Sequence, residues 1–396
     1  MKNKATVNSF MAYGAIAMLV VGIIGPTFPL FLKSVGFPVA KIGLLVSVAG
    51  FTSAILSLFF GTLSDRFDRR WLFGFSSIFM VTIPMLYYRV HQGISVVGLR
   101  VADGIAGPLS AVAADSMLID LAKETGNKGS VMGTYRTVKS SMFVFGPMIG
   151  GLIITLLPIR QLFLVEAALL AGASLLVILA LRKAPVAPPR KEGPIFTMPT
   201  LLRDKIVLCL LGILLLDFLN FQSLLLLFPV YAADMGVSYG FIGTLITVQS
   251  IAYALLQYPI GKLTDAGKVL PLLTVGAILH GPLIWALTLS SNYTYWIVVM
   301  ALIGVASAPA YLAVMLTVSD AAGENTGAAM GLIGSIVYFA SALGPLLSGL
   351  LSSVNMKAGF LLPVISSALI IRLAITVLKW HRQTKLDGAG TAVSGM

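Results

Sequence analysis

"GTLSDRFDRR", residues 61–70, sets five charges (Asp65, Arg66, Asp68, Arg69 and Arg70) into six consecutive positions between two long stretches with almost no charge. A weaker copy, "GKLTD", begins 200 residues later at Gly261. A dense charged turn between greasy segments that recurs at a fixed interval points to a duplicated membrane domain. The composition agrees: of 396 residues, 58% are hydrophobic and only 11% charged, whereas soluble domains carry about 25% charged residues. That leaves too little polar surface to coat a water-soluble globule.

A membrane helix needs about 20 mostly apolar residues. Twelve stretches qualify: 8–31, 41–60, 70–89, 94–119, 130–157, 161–182, 206–231, 238–260, 268–289, 293–319, 327–353 and 358–380. Long helical runs, rather than alternating segments of about ten residues, exclude an outer-membrane barrel. The expected fold class is therefore an all-α membrane protein of twelve transmembrane helices. With the N-terminus inside, 18 of the 27 lysines and arginines fall on inner segments and 5 on outer ones; the other 4 (Arg100, Arg136, Lys139 and Arg372) lie within spans or at their rims. This bias puts both termini in the cytoplasm, in a bacterial inner membrane, and it explains the net charge of +12 without a nucleic-acid partner. The first span lacks a small-residue cleavage site and is expected to be an uncleaved anchor. A single cysteine, Cys209, excludes an intrachain disulfide.

The proline- and cation-rich stretch 182–205 reads as a cytoplasmic linker dividing a six-helix half (1–181) from a second (206–382), with a disordered tail over 383–396. At a shift of 200 the halves match at Pro29/Pro229, Gly36/Gly236, Gly43/Gly243, Gly61/Gly261, Asp65/Asp265, Gly104/Gly304 and Asp120/Asp320. At a shift of 198 Gly146-Pro147 matches Gly344-Pro345. Such repeats place a substrate site between them.

At these residues the chain resembles the major facilitator superfamily over nearly its whole length. Gly61, Asp65, Arg66, Arg69 and Arg70 resemble that family's signature between helices 2 and 3, with Asp68 where the family usually has glycine. The resemblance implies a cytoplasmic latch, repeated in Gly261 and Asp265. "RVADGIAG" in span four resembles the proton-associated signature, with Asp103 where glutamine is common, and implies proton coupling through Arg100 and Asp103. Gly133, Gly146, Pro147, Gly150 and Gly151 resemble the span-five signature of drug exporters, with Met142 in place of a glycine; together with Gly344 and Pro345 they imply close helix packing.

The remaining candidates come from polar groups at membrane depth, which are costly there and mark function by default. Arg100, Asp103, Gly104 and Gly107 share one stripe of span four, where the first two form a self-neutralising pair. Asp217 lies near the centre of span seven with Asn220 one turn on; no cation lies within two turns on its own helix, so it reads as an unpartnered acid able to titrate or to select a cation. Gln249, Tyr253 and Gln257 form a polar stripe in span eight, and Lys139 either reaches a central cavity or snorkels to the cytoplasmic face. Asp217, Asn220, Gln249, Tyr253 and Lys139 are the expected substrate-binding residues. Glu166 is expected to pair with Arg160, and His280 to satisfy backbone beside "GP", neither with a functional role.

The chain is thus expected to be a monomeric secondary transporter that binds small molecules, works by alternating access among membrane lipids, and couples to protons without any cofactor or metal. Export of amphipathic compounds is favoured by the resemblance; a symporter importing an organic solute and a lipid or lysolipid flippase are the alternatives. A membrane-embedded enzyme is disfavoured, because acids, histidines and nucleophiles are scattered, and no nucleotide-phosphate loop is present.

Overall fold

The computed structural model describes residues 4–90, 93–124, 128–182, 204–265, 269–322 and 326–393. The described residues form thirteen helices and no strand. The first half holds α1 (Lys4–Ser34), α2 (Val39–Arg66), α3 (Arg69–Arg89), α4 (Gly93–Glu124), α5 (Lys128–Leu156) and α6 (Gln161–Leu181). The second holds α7 (Lys205–Asp234), α8 (Tyr239–Asp265), α9 (Val269–Ala286), α10 (Tyr293–Ala322), α11 (Thr326–Leu351), the short α12 (Met356–Gly359) and α13 (Leu361–Val393). Eleven are long and apolar enough to cross a membrane, and α9 is a shorter apolar helix. In lipid each spanning segment must satisfy its own backbone, and helices do so. Their outward faces carry exposed apolar side chains such as Trp71, Ile78, Leu175, Leu255 and Ile365. The protein is an integral membrane protein. Nearly all of the 182–205 linker lies outside the described residues, as do the side-chain surroundings of Gly61, Asp65 and Asp265. The last helix runs on to Val393, through most of the segment expected as a tail.

The sequence duplication reappears as local geometry. Gly36 and Gly236, at φ 94° and 78°, are the only left-handed glycines among the described residues. Each ends a helix in the same way: Phe37 N–H donates to Leu32 O and Gly36 N–H to Lys33 O, while Val237 N–H donates to Ala232 O and Gly236 N–H to Ala233 O. This is the Schellman cap, whose left-handed position glycine occupies without steric cost. We call the end of the bundle that carries these two turns distal, and the end that carries Lys4, Arg66 and Lys205 proximal.

At the distal end the halves are fused. A single apolar core joins Phe28, Phe31, Ile42, Tyr87 and Phe163 of the first half to Phe228, Tyr231, Ile242, Trp296 and Phe360 of the second. α2 packs on α11 and α5 on α8. A Cβ on Gly43 would collide with the Pro345 carbonyl oxygen, and one on Gly243 with the Pro147 carbonyl oxygen. Around the second contact, Met148 N–H donates to Thr247 Oγ1 at 3.1 Å and Gly240 N–H to Thr155 Oγ1 at 3.1 Å. Lys33 and Asp234 form an ion pair across the same end. At the proximal end, by contrast, the cores separate. One cluster draws only on residues 7–181, around Phe10, Phe73, Met117 and Tyr135; another only on residues 207–374, around Leu211, Leu214, Val314 and Ile370. The halves therefore share one core distally and keep separate cores proximally, where α2 and α11 still touch through the Phe51–Phe339 ring contact and Ser57–Ser335.

The seal gives a direct prediction. Gly243→Val must push α8 off α5, because the obstructing atom is backbone and cannot rotate away; overpacking of this kind costs about 1–3 kcal/mol. Spin-label distances between the distal ends of α5 and α8 should lengthen, and unchanged distances would show that the contact does not hold the seal.

Candidate functional site

For the polar groups at membrane depth, helix packing rather than helix spacing decides what each meets. In the distal part of the first half, Arg100 and Asp103 are paired at 3.0 Å, as their spacing predicts. The pair is also anchored to three other helices. Tyr87 Oη donates to Asp103 Oδ2 at 2.7 Å, Arg100 Nη2 donates to Val46 O at 3.1 Å and Nε to Leu45 O at 3.3 Å, and the guanidinium lies 4.7 Å from the Phe28 ring centroid. Glu166 of α6 lies within Coulombic range of both charges. Arg160 donates to the carbonyls of Val90 and Tyr88 at 2.9 and 3.2 Å. Glu166 thus belongs with the Arg100 group, which its sequence neighbourhood alone does not reveal.

Asp217 is not an unpartnered acid. His280 of α9 places Nδ1 2.7 Å from its Oδ1, with the imidazole fully buried and its Nε2 without a hydrogen-bond partner. This corrects two expectations at once: the acid has a partner, and His280 is more than a backbone accessory. Asp217 borders a small space lined by Ile213, Leu273, Ala306, Ala310 and Ile370, inside the second half. Asn220 is completely buried too, its Oδ1 accepting from Ser366 Oγ of α13. Asp217 and Asn220 therefore point into their own bundle. Tyr253 of α8 lies within Coulombic range of Asp217, and Gln257 Nε2 donates to Ala308 O at 3.3 Å. Gln249 is buried, with Ser250 Oγ 3.3 Å from its Oε1.

A different polar group lies part-exposed where the halves keep separate cores. Lys139 does not snorkel to the end of α5. Its Nζ lies 3.5 Å from Asp115 Oδ1 of α4 and 4.8 Å from the Tyr135 ring centroid. Tyr135 Oη donates to the same Asp115 oxygen at 2.5 Å, and Tyr13 and Ser110 share a hydrogen bond beside it. Tyr338 of α11, in the other half, lies within Coulombic range of Asp115, and Tyr311 of α10 within range of Arg136. Asp115 is a site residue that sequence reasoning passed over. The signal lay in Lys139: a lysine well inside a span needs a counter-charge, and Asp115 is the acid at matching depth on the preceding helix.

The expected packing glycines divide by position. Gly146 meets the backbone of Gly22, Gly150 meets Ile23, Gly151 meets the Tyr239 carbonyl, and Gly344 meets the Leu219 carbonyl. Gly133 has no neighbour that a Cβ would meet and takes no part in close packing, because it lies on an exposed face of α5 while Tyr135 on the opposite face packs against α1. In the charged turn, Asp68 caps α3, its Oδ1 accepting from Arg70 N–H at 2.9 Å; at φ −62° the backbone does not require glycine. Arg69 pairs with Asp120 of α4 and donates from Nε to Ser64 O at 3.0 Å. Arg66 is exposed.

A family model, Major Facilitator Superfamily, matches residues 10–238 and 210–391. The chain belongs to that superfamily and is a transporter, not an enzyme. Among characterised relatives it is similar to Multidrug resistance protein 1 of Bacillus subtilis, 24% identical over 387 residues that cover 94% of this chain and 96% of that one. It is similar also to Quinolone resistance protein NorA of Staphylococcus aureus, 23% identical over 374 residues covering 93% and 95%. A solved bacterial homolog of the human lysosomal transporter Spinster, described as inward-facing and unoccupied, superposes with a TM-score of 0.76 at 14% identity over 96% of this chain and 98% of that one.

Proposed function

We propose that this transporter exports amphipathic small molecules across a bacterial inner membrane by alternating access, driven by protons. The observation that carries the reading is the part-exposed group of Asp115, Tyr135 and Lys139 where the halves keep separate cores, opposite a fused distal end; we read that region as a substrate cleft. The full-length similarity to two drug-resistance transporters supports the direction. The distribution of basic residues supports a cytoplasmic proximal end, and with it an inward-open state. Two acids supply sites for a coupled proton: part-buried Asp103, held by Arg100 and Tyr87, and buried Asp217, held by His280. Substrate in the cleft and a proton within a bundle each bias the rocking of the halves, which couples the two flows. The test is transport in proteoliposomes under an imposed proton gradient, across cationic, neutral and anionic amphipathic probes. Proton-driven expulsion of a cationic dye supports export. Uptake with the proton marks a symporter, and lipid movement without solute movement marks a flippase.

The turn at 61–70 serves this cycle as the latch of the opposite, outward-open state. Asp65→Asn should therefore shift spin-label distances between the proximal ends of α2 and α11 further toward the open cleft, with expression nearly unchanged. Unaltered distributions would leave the turn only its topological role.

A further inference from the structure

The Asp115 group already has the form of a cation site: a carboxylate oxygen, and a tyrosine ring whose face lies 4.8 Å from an ammonium. The cation in it is the protein's own. We infer that Lys139 is a tethered occupant of a cation-binding site formed by Asp115 and Tyr135, and that a cationic amphipathic substrate binds by displacing it. The inference rests on the reading of the cleft as the substrate site, and it adds what the substrate must compete with.

Three observations carry it. First, the ion pair is loose. At 3.5 Å Lys139 contacts an oxygen that Tyr135 Oη already holds at 2.5 Å, so the carboxylate keeps a strong donor when the lysine leaves. Second, the pair is reachable: the side chains of Asp115 and Lys139 retain 40% and 24% of their exposure, at a depth where the halves have separate cores. Third, the ring is fixed. A Cβ on Gly14 of α1 would run into Tyr135, so glycine there makes room for the ring, and Tyr135 is 3% exposed. Departure of the ammonium would bare a preorganised aromatic face, favourable for a weakly hydrated cation. The released lysine has a long flexible stem with which to follow solvent along the cleft. The titratable groups that interact with Asp115 besides Lys139 are Tyr13 and Tyr135 from the first half and Tyr338 from the second.

The experiment measures equilibrium binding of tetraphenylphosphonium to the purified full chain in nanodiscs, free of any gradient. Partly exposed ion pairs contribute up to roughly 1 kcal/mol, so Lys139→Gln should tighten binding by about fivefold. Asp115→Asn should weaken binding. Because the lysine competes only through the acid, adding Lys139→Gln to Asp115→Asn should restore nothing. Equal affinity for the wild type and Lys139→Gln, a gain that persists without Asp115, or no binding to any variant overturns the inference. A second measurement needs no variant: saturating tetraphenylphosphonium should speed acylation of the Lys139 amine, read by peptide mass spectrometry, and an unchanged or slower rate overturns the proposal. Proton-driven export with these binding effects missing sinks this inference alone; the binding effects without any proton-driven transport sink the functional reading alone.

Discussion

Asp103→Ala should be among the most damaging single changes in the chain. It leaves Arg100 charged and largely enclosed by α1, α2 and α4 without its carboxylate; removing one partner of a fully buried pair costs about 3–5 kcal/mol, the upper bound for this part-buried one. Melting temperature and monodispersity in detergent should both fall sharply. Replacing both residues, Arg100→Met with Asp103→Leu, should recover most of the loss, although the links to Leu45 O and Val46 O go with the guanidinium. Those links tie α4 to α2, and α2 carries Gly43 of the distal seal. The double variant should therefore fold but run its cycle with weakened proton coupling. Full coupling in a stable double variant would reduce the whole Arg100 group to packing. Tyr87→Phe, which deletes a single hydrogen bond, should cost only about 1 kcal/mol.

The second large effect is functional. Asp217→Asn keeps size and a hydrogen bond to His280 while removing the charge, so the fold should persist. Proton-driven transport of cationic compounds should be lost, and transport of neutral ones less affected. Since Asp217 points into its own bundle, its influence on a cleft-bound substrate acts through helix positions and not by contact. His280→Gln then becomes the decisive companion. It retains a donor beside Asp217 but cannot carry a proton as imidazolium, so the pH dependence of transport should change with affinity for the probe nearly constant. If both variants transport cations with the wild-type pH profile, the pair is a structural hydrogen bond and coupling must be sought at Asp103.

The fold was legible because membrane depth is written in composition and the duplication in glycines and prolines. All twelve spans appear as helices, and paired residues such as Gly36 and Gly236 adopt the same cap. The Arg100–Asp103 contact was legible too, since i, i+3 spacing on one helix determines proximity. What spacing cannot give is the neighbour. Asp217 and Asn220 share a face, yet one meets α9 and the other α13, and only the arrangement of helices around α7 decides that. His280 reads from its own helix as a backbone partner beside "GP", although an acid at the depth of Asp217 requires a donor from some neighbouring helix. Asp115 is not on the helix that carries Lys139, so only the packing of α4 against α5 reveals it as the lysine's counter-charge.

The distal seal has one more property. Each half contributes one glycine helix and one glycine–proline helix, and each glycine helix meets the glycine–proline helix of the other half. A surface bearing both parts of such a lock is complementary to itself, as the interface of a two-fold symmetric dimer is. Two copies of the first half alone would present Gly43 and Pro147 to one another twice over. The geometry that closes this transporter is thus one that a half-length ancestor could have closed as a homodimer before the gene was doubled.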